Sequence, residues 1–231
     1  PSQIENYNQI FSRDIAFVID NIFIKANILS NRARETEALQ YVIDQIQPQK
    51  VVTFPEQVHI EGGDVMPYGN YIFVGTYYGD DYSSYITART NMAAVTALQE
   101  LFPKKIVKPF NLKKSNTVAQ DNALHLDCCF QPLGHGRCII HKDGFLIEQE
   151  YQWLIDFFGP QNCFHIDKQE MYHMNSNIFS ISEDVIISEK NFTRLNSWLV
   201  DKGYTVEEVC YGEIAKQEGL LRCSTMPLMR E

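Results

Sequence analysis

The feature that most constrains this chain is a rhythm. Short runs of β-branched and aromatic residues alternate with amphipathic stretches in the order strand, strand, helix, strand, and the pattern returns roughly every 50 residues. The first unit predicts strands at 16–19 and 22–25, a helix over 34–46 and a strand at 51–54. The second predicts a strand at 71–76, a helix over 85–101 and a strand at 105–110. The third has strands at 124–130 and 137–141, a helix over 147–158 and a strand at 163–166. The fourth has strands at 177–182 and 185–188, a helix over 191–202 and a strand at 204–209. In that last helix Phe192, Leu195, Trp198 and Leu199 share one face, and Gly203 follows as a C-terminal cap. Each unit can lay one helix face on a small sheet but needs neighbours to complete a core. Four such units in 231 residues therefore describe one α/β domain of similar modules spanning 1–231, with residues 211–231 as a tail.

Composition narrows the function classes. Hydrophobic residues make up 45%, enough for one sizeable core. The net charge is −9, from 29 acidic and 20 basic residues. The densest basic group, Lys113 and Lys114 with Lys104, Lys105 and Lys108 nearby, reads as a solvated face. Nucleic acid is therefore not an expected partner, because phosphate contacts need clustered cations. No apolar run reaches about 18 residues, so no membrane span is expected either. Cysteines stand at 128, 129, 138, 163, 210 and 223, without a C-x-x-C pair or a zinc spacing. A chain of this length does not need disulfides, so reduced thiols and a cytoplasmic location are expected, with no cofactor and no metal.

Four polar clusters interrupt the apolar pattern: Arg13-Asp14 ahead of the first strand, Glu61-Gly62-Gly63-Asp64, His125-Leu126-Asp127, and Arg222-Cys223-Ser224-Thr225 in the tail. Each alone has an ordinary structural reading. An Asp before a strand forms turns, two glycines make a loop, and a lone Cys is commonly buried and inert. Strand alternation would put His125 and Asp127 on one face. Together they supply a nucleophile, an acid/base and several carboxylates. Carboxylates suit a cationic, planar ligand such as a guanidinium, whose carbon a thiolate can attack.

This set resembles the guanidino-group-modifying superfamily, the penteins, which includes arginine deiminases, dimethylarginine dimethylaminohydrolases and amidinotransferases. The matching residues run in order through nearly the whole chain: Arg13-Asp14, Arg32 with Glu35, Glu61-Gly62-Gly63-Asp64-Val65, Arg89-Thr90-Asn91, Leu124-His125-Leu126-Asp127, Asn177 and Cys223. The resemblance implies a five-bladed α/β propeller of ββαβ modules. Its N-terminal module is then expected to be missing or incomplete, since four units are legible and the chain opens at Pro1. It implies that Cys223 is the nucleophile and that His125 protonates the leaving amine and then activates water. Glu61 would hold the guanidinium and orient His125. Asp14 and Asp127 would grip guanidinium nitrogens, and Arg32 and Arg89 would bind a substrate carboxylate, with Asn177 also at the substrate site. The Arg32 match needs a one-residue gap, which leaves Arg34 as an alternative.

The implied activity is an arginine-deiminase-like hydrolysis of arginine or a related guanidino or ureido amino acid through a covalent thiouronium. The partner is a small-molecule guanidino amino acid, with a homodimer as a possible assembly. Within the family, Asp127 favours an unmethylated guanidinium, because a methylated nitrogen has fewer hydrogens to donate. Two other readings stay open: an amidinotransferase using an amine acceptor, and a non-catalytic binding or assembly protein on the same fold. Thr76–Ser84, with three tyrosines and two aspartates, is longer than the family pattern. It reads as a lid or specificity element, or as a surface hairpin.

Overall fold

The structure, a computed structural model, describes residues 7–229. The first module contains α1 (Ser12–Ile15), β1 (Ala16–Ile19), β2 (Ile22–Lys25), α2 (Gln40–Ile43) and β3 (Val51–Thr53). The second contains β4 (Val65–Tyr68), β5 (Tyr71–Thr76), α3 (Met92–Leu101) and β6 (Ile106–Asn111). The third contains β7 (Phe130–Leu133), β8 (Arg137–Ile140), α4 (Glu148–Phe158) and β9 (Cys163–His165), followed by α5 (Lys168–Tyr172). The fourth contains β10 (Phe179–Ser180), β11 (Val185–Glu189), α6 (Thr193–Asp201) and β12 (Thr205–Val209).

Among the described residues these strands form four three-stranded sheets, one per module. In each, the first two strands are antiparallel and the third runs parallel to the second. A parallel return requires a crossover, and the amphipathic stretch between the second and third strands supplies it. No helix among the described residues is long and apolar enough to cross a membrane.

The sheets are joined by aromatic packing. Phe73 of β5 is fully buried. It meets Phe110, Phe130, Trp153 and Phe157 edge-on, which locks the second module onto the third. Trp198 of α6 packs on Phe164 of β9 at 5.1 Å between centroids, and the Tyr204 hydroxyl donates to the Gly134 carbonyl at 2.6 Å. These contacts tie the third module to the fourth.

Three expectations are corrected. The helix over 85–101 begins only at Met92, because Asn91 caps it by accepting from the Ala94 amide. The helix over 34–46 is mostly a 3-10 segment, Ser30–Leu39, ending in the short α2. The tighter winding eclipses residues three apart, and this brings Arg32 and Glu35 into a bidentate pair. The strand over 124–130 is absent. His125 precedes a 3-10 turn, Leu126–Cys128, and β7 begins at Phe130. The Leu126 amide donates to the Asp64 carboxylate and the Cys128 amide to the His125 carbonyl, so neither joins a ladder. Conversely, β4 was not legible because Pro67 interrupts it. An edge strand tolerates a proline, having no donor to lose on its open side.

The modular plan places the polar clusters. Asp14 lies just ahead of β1, Glu61 ahead of β4, His125 and Asp127 ahead of β7, and Asn177 ahead of β10. Each module delivers its polar residue at the same point of its own architecture, the approach to its first strand.

Candidate active site

The tail closes onto these four approaches. The Arg13 amide donates to the Cys223 carbonyl at 3.0 Å, and the Arg222 amide donates to the Asn177 carbonyl at 3.1 Å. Asn177 is fully buried and clamps the turn: its Oδ1 accepts from the Leu220 and Cys223 amides, both at 3.1 Å. Its Nδ2 lies 3.1 Å from Cys223 Sγ. Asn177 therefore faces the sulfur. The thiol itself is 3% exposed and lies 3.6 Å from Asp127 Oδ2.

His125 is 1% exposed. Its Nε2 is 2.8 Å from Glu61 Oε2 and its Nδ1 is 3.8 Å from Asp14 Oδ1. Gly63 underlies the ring: a Cβ there would stand 2.6 Å from Nδ1, so only glycine permits this approach. Burial alone would depress the imidazole, but the carboxylates of Asp14, Asp64 and Glu61 more than offset it and hold His125 at about 9. Burial would raise Glu61, yet the hydrogen bond with His125 and the guanidinium groups of Arg89 and Arg32 bring it down to about 2. Asp14 moves the other way: burial pushes it up to about 6 against the pull of His125 and Arg32. Burial, with Asp127 and Asp14 nearby, pushes the Cys223 thiol well above its ordinary range, the Asn177 contact opposing. At neutral pH the site thus holds an imidazolium and a neutral thiol.

The cations are placed against the carboxylates. Arg32 is buried, with Nη1 3.0 Å from Asp14 Oδ2 and 3.7 Å from Glu61 Oε2. Arg34, the alternative, is on the surface and pairs with Glu37. Arg89 Nη1 reaches both Glu61 oxygens at 3.1 and 3.2 Å. Asp127 Oδ2 takes Arg222 Nη1 at 2.7 Å, and the same guanidinium donates to the carbonyls of Gly63 and Val65. Sequence reasoning assigned Arg222 no role. Its position beside Cys223 was the available signal, but nothing linear places it on Asp127.

Among the described residues, one acceptor in this network has no donor: Asp14 Oδ1 is buried without a hydrogen-bond partner. A buried, unsatisfied carboxylate oxygen costs free energy unless a ligand supplies the missing N–H. Asp14, Glu61 and His125 also bring one ligand atom each within 4.8 Å of one another, a spacing compatible with a metal ion. The Arg32 guanidinium already bridges the two carboxylates of that set, which suits an organic cation better than a bare ion.

The segment singled out at Thr76–Ser84 is tied down. Tyr77 donates to Asp81 at 2.8 Å, Tyr78 donates to Glu150 at 2.5 Å, and Tyr82 pairs with His59 at 3.3 Å. Its far end delivers Arg89, whose Nε donates to the Ile86 carbonyl. Cys128 and Cys129 are buried in the main core. A cavity of about 870 Å³ lies elsewhere, between α5, α6 and the Gly212–Gln217 turn.

No protein-family profile matches the chain. It is similar to an uncharacterized protein, YkgA, of Bacillus subtilis, with 28% identity over 225 residues, 96% of this chain and 70% of that protein. It is also similar to an N(G),N(G)-dimethylarginine dimethylaminohydrolase of Pseudomonas aeruginosa, with 24% identity over 196 residues, 85% of this chain and 66% of that enzyme. The chain thus spans about two thirds of the length of these relatives. Among solved structures, it matches the N-terminal domain of ArgZ with a covalently bound reaction intermediate, at TM-score 0.80 and 17% identity over 96% of this chain and 76% of that one. It matches a dimethylarginine dimethylaminohydrolase adduct at TM-score 0.73 and 22% identity, covering 95% and 78%. The chain therefore has the mixed α/β fold of these guanidino-modifying enzymes, the pentein fold.

Proposed function

We propose that this pentein-fold chain carries the active site of a cysteine-dependent guanidino hydrolase acting on arginine or a closely related guanidino amino acid. The observation that carries the reading is convergence: Asp14, Glu61 and the His125–Asp127 pair, from three modules, meet Cys223 of the tail in one buried site. Asp14 Oδ1 is left there as an acceptor without a donor. A guanidinium has the N–H groups that such an acceptor lacks.

The chemistry follows from the charges. The free thiol is held neutral by burial and by two carboxylates. A guanidinium docked on Asp14 and Asp127 neutralises those charges and so favours the thiolate, the thiol proton leaving to solvent. Attack by Cys223 Sγ on the guanidinium carbon gives a tetrahedral centre. The C–N bond to the leaving nitrogen breaks as that nitrogen takes a proton from the His125 imidazolium, leaving a thiouronium on sulfur. His125, now neutral, accepts a proton from water as its oxygen attacks the same carbon. Breakage of the C–S bond releases the ureido product and returns the thiol. Arg32 and Arg89 are the cations for a substrate carboxylate, once exchanged from Asp14 and Glu61.

One observation keeps methylated arginines within the reading. Arg222 occupies Asp127 Oδ2, so this carboxylate offers a substrate only its Oδ1, against which the Cys128 thiol lies at 3.8 Å. A panel of arginine, methylarginines, citrulline and agmatine, with released ammonia or amine quantified, tests the proposal. Turnover of at least one guanidino amino acid, abolished in Cys223→Ala, is expected. No turnover of any compound would sink it. Formation of a new guanidino compound only when glycine is added would move the assignment to an amidinotransferase.

A further inference from the structure

Beneath the site lies a polar pair that has no place in the chemistry above. Asp64 is 1% exposed. Its Oδ1 accepts from the Leu126 amide at 2.9 Å, and its Oδ2 accepts from the Thr90 hydroxyl at 2.6 Å. The Thr90 oxygen in turn accepts from the Glu61 amide at 3.2 Å. Leu126 lies between His125 and Asp127, and Thr90 follows Arg89. One carboxylate and one hydroxyl therefore join the backbones of every site segment from the second and third modules. β5 makes room for them at Gly75. A Cβ there would stand 2.3 Å from Asp64 Oδ1 and 2.8 Å from Leu126 Cβ.

A neutral acceptor would satisfy the Leu126 amide at lower desolvation cost than a buried carboxylate. Burial raises the Asp64 carboxyl, while His125, Lys114 and the hydrogen bonds from Thr90 and Leu126 pull it down, and His125 is the group beside it that gains from the carboxylate. Its ring is faced by Asp14 from α1 and by Glu61 and Asp64 from the approach to β4. Arg32 faces it across Asp14, while Lys114, buried with Nζ on the carbonyls of Ala123 and Leu124, faces Asp64.

We propose that Asp64 and Thr90 are positioning residues. They hold His125 in register with Glu61 across the boundary between two modules, and Asp64 in addition keeps the imidazole charged as a proton donor. The proposal rests on the guanidino-hydrolase reading for its kinetic consequence but not for its structural one.

Three variants separate the two contributions. Asp64→Asn keeps the shape and an acceptor for the Leu126 amide but removes the charge. The His125 titration, followed by NMR and assigned with His125→Gln, is expected to move to lower pH, and the alkaline limb of kcat/KM to move with it. Thr90→Val leaves the Asp64 carboxyl in place but breaks the link to Glu61 and removes one hydrogen bond that favours the carboxylate. It is expected to lower kcat by about tenfold or more at little change in KM, with a smaller shift of the His125 titration than Asp64→Asn gives. Thr90→Ser restores the hydroxyl and is expected to restore kcat. An Asp64→Asn variant with wild-type His125 titration, or a Thr90→Val variant with wild-type kcat, overturns the proposal, as does a Thr90→Ser variant no better than Thr90→Val. If Asp64→Asn does not fold, the threonine pair still decides. If the wild-type protein hydrolyses no guanidino compound, the functional reading fails while the NMR titration still judges the positioning claim.

Discussion

At the residue scale, the site is a set of opposed charges. Asp14 is the informative member, because burial lifts it to about 6 while its Oδ1 lacks a donor. In the proposed reaction its ionised form would bind a guanidinium, and the His125 imidazolium would protonate the leaving amine. The pH profile of kcat/KM is therefore expected to be bell-shaped, with an acid limb near 6 and an alkaline limb near 9. Asp14→Asn should remove the acid limb and raise KM, and steady-state kinetics over that range checks it. An unchanged acid limb would assign it to another group.

At the scale of single elements, short irregular segments do the placing. The 3-10 winding of Ser30–Leu39 pairs Arg32 with Glu35, and the 3-10 turn Leu126–Cys128 presents His125 and Asp127. Helix α3 contributes through its cap. Asn91 Oδ1 accepts from the Ala94 and His59 amides, and Nδ2 donates to the Gln57 carbonyl. The cap thus anchors Arg89 and Thr90 to the segment leading into Glu61. Asn91→Ala is expected to cost about 1–2 kcal/mol in urea unfolding, the usual range for a lost cap. It should also raise KM, since Arg89 loses its neighbour's tether. Destabilisation without any kinetic change would separate the cap from the site.

At the scale of the whole molecule, the modules depend on one another. Phe73→Ala should cost about 3–5 kcal/mol, because the ring is fully buried between two modules that cannot close the gap independently. Denaturant titration measures it, and a cost below about 1 kcal/mol would show that the modules repack. Stability should also respond to alkali. The folded value of His125, about 9, lies above its unfolded value near 6.5. Its contribution is complete below 6.5 and is lost as pH rises through 9. Asp14, half ionised at about 6, adds slope only at the acid end of this interval. Wild-type Tm should fall across this interval more steeply than that of His125→Gln.

Much of this was legible in the linear chain. Strand and helix periodicity set out the modules, because side-chain burial alternates locally and needs no distant partner to be read. The polar clusters at Asp14, Glu61, His125 and Cys223 stood out because each interrupts an apolar pattern. What tertiary structure alone decided is how these groups are oriented and charged. Arg32, not Arg34, faces the site, since a 3-10 segment turns it inward. His125 and Asp127 lie on a turn because the Asp64 carboxylate, 62 positions away, takes the Leu126 amide from any strand ladder. Arg222 on Asp127 and Asn177 on the Cys223 sulfur are contacts between modules. Such contacts depend on how sheets pack, and packing between sheets leaves no period along the chain.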